Sequence, residues 1–229
     1  MAELSRTERL ARLDRARLYL VTDAEPGAGP LADVLVRALH GGVDIVQLRM
    51  KDAADDAIRA AAQVVRRVAH EHRALFVLND RPDLAKEVGA DGVHVGQDDH
   101  SVEQARALAG PSLLVGLSTH APDDLDGAWL DRADYAGVGP VHATPTKPGR
   151  PAAGLEYVRH AAASAATLPW FAIGGIDTTN VAAVRAAGAS RIAVVRAIAD
   201  APDLDASGAA ARALRAAITQ TQEDPVGTP

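Results

Sequence analysis

Eight short β-rich apolar segments alternate with longer alanine-rich helical stretches, and this alternation predicts an α/β protein, a single parallel (β/α)8 barrel. Two further observations agree. Gly-Gly or Gly-Ala pairs recur at helix-to-strand junctions (Gly41-Gly42, Gly89-Ala90, Gly188-Ala189), where a residue past a helix end must take a left-handed conformation. The chain has 229 residues and shows no linker, close to the roughly 250 residues of one such barrel.

In chain order, residues 2–16 read as an amphipathic helix ahead of the barrel. The strands then read as Leu18–Thr22, Ile45–Arg49, Leu75–Asn79, Gly92–Val95, Leu113–Leu117, Tyr135–Val138, Trp170–Gly174 and Arg191–Val195. The helices read as Leu31–His40, Ala53–Glu71, Pro82–Val88, Val102–Ala109, Asp123–Leu130, Leu155–Ala166, Thr178–Ala186 and Ala209–Thr219. Asp177 and Thr178 stand where an N-cap is expected. The chain thus divides into an N-terminal helix (1–16), the barrel (17–219) and a polar tail with Pro and Gly (220–229) expected to be flexible. A doubly wound sheet would carry a glycine-rich cradle after its first strand. Here Thr22-Asp23-Ala24-Glu25-Pro26-Gly27-Ala28-Gly29-Pro30 suits a loop better.

Composition removes several classes of function. Apolar residues are 48%, enough for a large core, yet no uncharged run reaches the ~18 residues of a membrane span. The segment MAELSRTERLARLDRAR lacks the apolar centre of a signal peptide, so a cytoplasmic protein is expected. Cysteine is absent, which excludes disulfides, thiolate metal sites and a cysteine nucleophile. A net charge of −6 with 3% aromatics argues against nucleic acid as a partner. Of 24 basic residues only Lys51, Lys86 and Lys147 are lysine, so a lysine kept in a loop draws notice.

In a barrel the chemistry belongs at the C-terminal ends of the strands. Gln47 and Arg49 are two apart on one strand and face the interior, while Leu48 faces the helices. Two such polar groups inside a barrel are costly unless they bind something. Arg49 and Lys51 together form a cationic patch suited to phosphate; the alternative is a rim ion pair to Asp23, Asp80 or another acid. Asp80 and Asp99, with Asp98 beside the latter, suggest a Mg2+ site that keeps waters and bridges to substrate phosphates; they could instead pair with Arg49 and Lys51. Gly174-Gly175 lets backbone approach a ligand, the helix start near Asp177–Thr179 offers N–H groups, and Arg196 adds charge. The loop after the sixth strand carries Thr144, Thr146 and Lys147 and suits closure over an anion. His94 reads as a satisfied barrel residue. His40, His70, His72 and His160 read as helix-surface residues, and His120 and His142 as rim acid/base candidates. No His-x-x-x-His pair occurs, which argues against zinc.

Seven rim segments, each in order at a strand end, together resemble thiamine-phosphate synthase over about Leu18 to Ile198. They are Gln47-Leu48-Arg49-Met50-Lys51, Asn79-Asp80-Arg81, Gly92-Val93-His94-Val95-Gly96-Gln97-Asp98-Asp99, Gly116-Leu117-Ser118, Gly137-Val138-Gly139-Pro140 with Thr144-Pro145-Thr146-Lys147, Gly174-Gly175-Ile176, and Val194-Val195-Arg196-Ala197-Ile198. The resemblance implies a transferase that joins hydroxymethylpyrimidine diphosphate to a thiazole phosphate, carboxylated or not, in thiamine biosynthesis. Thiamine phosphate and diphosphate are the products, and C–O cleavage leads. It implies that the segment Gln47, Leu48, Arg49, Met50 and Lys51, with Asn79, Ser118 and Lys147, binds the pyrimidine diphosphate. Arg49, Lys51 and Lys147 would be catalytic. Thr144, Pro145, Thr146, Gly175, Val195 and Arg196 would bind the thiazole phosphate, and Asp80 and Asp99 one Mg2+. Two positions depart from the family pattern: Met50 stands where many members have an acid, and Arg196 where many have serine. The partners implied are these small molecules, with no membrane and with a homo-oligomer left open. Three other readings compete. A thiazole tautomerase on the same fold would use His120. A Schiff-base aldolase would need a lysine inside the barrel. A non-catalytic phosphate-ligand regulator would tolerate loss of Mg2+.

Overall fold

The computed structural model describes residues 3–125, 132–144, 152–164 and 168–220. Eight parallel strands close in chain order, β8 pairing back to β1. They are β1 (Leu18–Thr22), β2 (Ile45–Leu48), β3 (Leu75–Asn79), β4 (Gly92–Val95), β5 (Leu114–Thr119), β6 (Tyr135–Val138), β7 (Trp170–Ile173) and β8 (Ile192–Val194). The helices described are α1 (Arg6–Arg15), α2 (Leu31–His40), α3 (Asp55–Glu71), α4 (Pro82–Ala85), α5 (Val102–Ala109), α6 (Pro122–Leu125), α7 (Gly154–Ala163), α8 (Val181–Ala186), α9 (Arg196–Ala199) and α10 (Leu204–Thr219). None of the described helices is long and apolar enough to cross a membrane.

The differences from the sequence reading are local and have local causes. α1 starts at Arg6 because Ser5 and Glu8 form a reciprocal cap: Ser5 Oγ accepts from Glu8 N, and the Glu8 carboxylate accepts from Ser5 N. β5 runs on to Thr119, which places Ser118 within the strand. α8 starts at Val181, later than Thr178, because a turn precedes it. The Asp177 carboxylate accepts from the Thr179 N–H and hydroxyl, and Asn180 Oδ1 accepts from Asp177 N. β8 stops at Val194, and Val195 turns the chain into α9, a helix that periodicity is too short to announce. The tail beyond Gln220 and the expected helix residues 126–130 lie outside the described residues.

The strands are buried on both faces, as a barrel wrapped in helices requires. Leu18, Leu20, Val46, Leu48, Phe76, Leu78, Val93 and Val115 face outward and pack with the helices into one layer. Tyr19, Val21, Ile45, Leu75, Val77, Leu114, Tyr135, Phe171 and Ala193 fill the interior. Gly116 is glycine for a steric reason: a Cβ there would lie 2.1 Å from Tyr135 Cζ. Gly116→Ala is therefore expected to cost about 1–3 kcal/mol through overpacking, readable as a lower thermal midpoint; an unchanged midpoint would show that the Tyr135 ring gives way freely.

α1 closes the opposite end. Leu13 and Ala16 join the interior cluster, and Arg6, Arg9 and Arg12 donate to Leu113 O, Ser112 O and Arg73 O, backbone groups at or just before the starts of β3 and β5. An acid sits one residue before each of β2, β4 and β6. Asp44, Asp91 and Asp134 accept from the backbone N–H of Leu18, Phe76 and Val115 on the preceding strands. Each also holds an arginine: Arg215, Arg9 and Arg6, respectively. This mouth is organised for stability, and the other is left for ligands.

Candidate active site

At the C-terminal ends of the strands lies a cavity of about 330 Å³. Its floor is Tyr19, Tyr135 and Phe171, the first inward-facing residues of β1, β6 and β7. Gln47, Arg49, Asn79, His94 and Ser118 line one side. Thr144, Gly174, Gly175, Val195 and Arg196 line the other. Residues from all eight strands and the segments after them therefore meet in one space.

β2 divides its residues as alternation predicts. Gln47 is buried and donates from Nε2 to Tyr19 Oη at 2.8 Å. Arg49 follows one residue past β2, its N–H donating to Thr22 O, and its side chain reaches the cavity. Leu48 is fully buried in the outer layer and Met50 packs against that layer, so only their backbones can meet a ligand from the cavity. Neither Arg49 nor Arg196 makes an ion pair with another described residue. The alternative rim ion pair of Arg49 with Asp23, Asp80 or another acid does not form among the described residues, which leaves a guanidinium at the cavity wall for an incoming anion.

Asp80 has a left-handed backbone (φ 60°), uncommon outside glycine and tolerated by aspartate, and its N–H donates to His94 O. Its carboxyl lies against that of Asp99. Burial and the Asp99 charge push the Asp80 carboxyl up to about 6, against the smaller opposing pull of Lys51 and Arg49. Lys51 is exposed, beyond the cavity lining yet within electrostatic reach of this acid pair. Asp99 Oδ2 accepts from Gly96 N at 3.0 Å, which fixes the loop after β4. Among the described residues no cluster of three or more acids or histidines forms a complete metal cage. Two hard carboxylates at an open rim nevertheless fit Mg2+, which keeps several waters and takes the remaining ligands from substrate phosphates. A cation there would relieve the repulsion that lifts Asp80.

On the phosphate side the structure corrects one expectation. The N–H groups near Asp177–Thr179 are partly taken, since those of Asp177 and Thr179 already donate to Asn180 Oδ1 and the Asp177 carboxylate. The open features are instead Gly174 and Gly175 (φ 109° and 63°) and the start of α9, where Val195 turns the chain and Arg196 takes the first helical position. Gly175 is held by Asn180 Nδ2 on its carbonyl, and a Cβ on it would strike His142 Cβ at 2.8 Å. Thr144 lines the same side, while Pro145, Thr146 and Lys147 lie outside the described residues.

The histidines separate by position. His120 lines the cavity with Nδ1 2.7 Å from Gly139 O. His94 is hydrogen-bonded on both nitrogens, to Tyr135 Oη and Ser118 Oγ, and also lines the cavity. His70 is not a mere surface residue: Nε2 lies 3.2 Å from the buried Asp91. The sequence reading missed Tyr19 and Tyr135 as cavity residues. The inward phase of β1 and β6 was the available signal, for tyrosine inside a barrel needs a partner for its hydroxyl.

Comparison with known proteins agrees with this geometry. A family model described as "Thiamine monophosphate synthase" matches residues 18–198. A thiamine-phosphate synthase of Gloeobacter violaceus is 56% identical over 192 residues, 84% of this chain and 55% of that protein's length. One from Thermus thermophilus is 53% identical over 202 residues, 87% of this chain and 95% of that protein. The solved thiamine phosphate pyrophosphorylase of Pyrococcus furiosus superposes with a TM-score of 0.80 at 32% identity, covering 90% of this chain and 96% of that one.

Proposed function

The chain belongs to the thiamine-phosphate synthase family, transferases of thiamine biosynthesis, and we propose that its cavity joins hydroxymethylpyrimidine diphosphate to a thiazole phosphate. The observation that carries this reading is the two-sided cavity. An unpaired guanidinium with amide and hydroxyl donors faces a glycine-lined wall ending in Arg196, within about 330 Å³. Such a space suits two anionic heads brought together over an aromatic floor.

The chemistry needs little from side chains beyond charge and position. The C–O bond to the pyrimidine methylene breaks, and its electron pair leaves with diphosphate. The thiazole nitrogen then forms the new C–N bond with its own lone pair. No proton moves at the nucleophile, so no general base is required. Negative charge grows on the departing oxygens, where Arg49 and Lys51 stabilise it more in the transition state than in the ground state; Lys147 is assigned the same role. Gln47, Asn79 and Ser118 orient the pyrimidine diphosphate, with Leu48 and Met50 contributing backbone alone. Thr144, Gly175, Val195 and Arg196 hold the thiazole phosphate, joined by Pro145 and Thr146. Asp80 and Asp99 would hold Mg2+. Bound there, the ion would neutralise part of the diphosphate charge.

The test supplies both phosphorylated substrates with and without Mg2+ and follows thiamine phosphate and diphosphate. Turnover that requires the metal is expected; no product with metal present would overturn the assignment. Asp80→Asn and Asp99→Asn are each expected to lower metal-dependent turnover by at least ~10²-fold, the scale of several kcal/mol of lost charge stabilisation, with unchanged circular dichroism. Wild-type rate in either variant would remove that residue as a ligand.

A further inference from the structure

A continuous line of side-chain hydrogen bonds crosses the barrel at the cavity floor. Gln47 Nε2 donates to Tyr19 Oη at 2.8 Å, and the Tyr19 and Tyr135 hydroxyls are 3.0 Å apart. Tyr135 Oη lies 3.2 Å from His94 Nδ1, and His94 Nε2 lies 3.0 Å from Ser118 Oγ. Its two ends, Gln47 and Ser118, are assigned above to the pyrimidine substrate. The three residues between them have no part in that reading.

The line has a direction. Burial raises both phenols above their ordinary value, so each stays protonated and has one proton to give. Tyr19 accepts from the Gln47 amide, so its own proton goes to Tyr135. Tyr135 in turn gives its proton to His94 Nδ1. A neutral His94 then carries hydrogen on Nε2 and donates to Ser118 Oγ. A cationic His94 would donate at Nδ1 and turn the Tyr135 proton back towards Tyr19. The Tyr19 proton would then have no partner in this line, in a fully buried position. Ser118, accepting from His94, has its own proton left over, and Ser118 lines the cavity.

We propose that Tyr19, Tyr135 and His94 are positioning residues that lock His94 in the Nε2–H tautomer and turn the Ser118 hydroxyl outward as a donor to the bound pyrimidine diphosphate. The inference rests on the synthase reading for its substrate, but the tautomer is a property of the protein alone. The two therefore fail separately.

Two measurements test it. The first uses nitrogen-15 NMR of the histidine side chains in the ligand-free protein at neutral pH. Hydrogen on His94 Nε2, with Nδ1 bare, is expected. Hydrogen on Nδ1, alone or in a cation, means the line runs the other way and overturns the proposal, whatever the activity assay gives. The second is a double-mutant cycle of Tyr135→Phe with Ser118→Ala. The phenylalanine keeps the edge-on packing of this ring against Phe171, 5.9 Å between centroids. Tyr135→Phe alone is expected to lower kcat about tenfold, the scale of one lost hydrogen bond. It should leave KM for the thiazole phosphate unchanged. In the Ser118→Ala background the same change should have little further effect, since Tyr135 acts through Ser118. Full additivity of the two losses, or a Tyr135→Phe kcat equal to that of the wild type, overturns the proposal.

Discussion

Arg49→Ala is expected to lower kcat/KM for the pyrimidine diphosphate by about 10²–10³-fold, with most of the loss in kcat. The expectation follows from where the guanidinium stands. Arg49 is placed by the last backbone bond of the β2 ladder, lines the cavity and makes no ion pair with another described residue. Its charge is therefore organised before substrate arrives. A unit charge pair about 4 Å apart interacts by roughly 4 kcal/mol at an intermediate effective dielectric. The part that counts for rate is the growth of that attraction as diphosphate departs. Arg49→Lys should recover only part of the loss, since an ammonium lacks the planar fork that engages two phosphate oxygens. Steady-state kinetics over both substrates decide the matter. A variant that raises KM and leaves kcat intact would make Arg49 a docking residue and move the catalytic charge to the lysines.

At the other mouth the largest expected effect is on stability. Arg9 is 4% exposed and its Nε donates to Asp91, which is 1% exposed. Asp91 also accepts from the Phe76 N–H and lies beside His70. Burial alone would raise the Asp91 carboxyl, but His70, the Phe76 N–H and Arg9 outweigh it and hold it below its ordinary value. Removing one partner leaves a buried charge uncompensated. Arg9→Ala is thus expected to cost about 3–5 kcal/mol in urea unfolding. The folded fraction should keep its kcat, because α1 and the cavity lie at opposite ends of the barrel. A loss under about 0.5 kcal/mol would mean that water reaches Asp91 as soon as the arginine is gone. The pH dependence has a definite sign. A carboxyl whose value is lowered by folding contributes stability that is present above its unfolded value. That contribution disappears as pH falls through the unfolded value and then the lower folded one. Wild-type stability should therefore fall steeply below about pH 4, and Asp91→Asn, weaker at neutral pH, should show a shallower acid slope.

The split between these two mouths marks how far reading residues in order can go. Eight strands, their sequence positions and the inward phase of Gln47 and Arg49 were legible, since burial on both faces and period-two alternation are local consequences of a strand inside a helical shell. The acids ahead of β2, β4 and β6 were equally visible as letters. Their function was not, because each joins a neighbouring strand's N–H to an arginine brought from a distant helix or from α1. The end of β8 at Val194, the short α9 and the spent N–H groups near Asp177 were also hidden. They depend on single dihedrals and side-chain turns that leave no periodic trace.

Taken alone, the order of amino acids determined the barrel and the end at which polar groups gather. Only closure of the sheet decided which of them share a space. It put Arg49 and Arg196 on facing walls, pressed Asp80 against Asp99, and aligned Gln47, Tyr19, Tyr135, His94 and Ser118 into one line. The reason is geometric. Alternation fixes which face of a strand a side chain takes, whereas its neighbours across the interior are set by strand tilt and stagger, properties of the closed sheet as a whole.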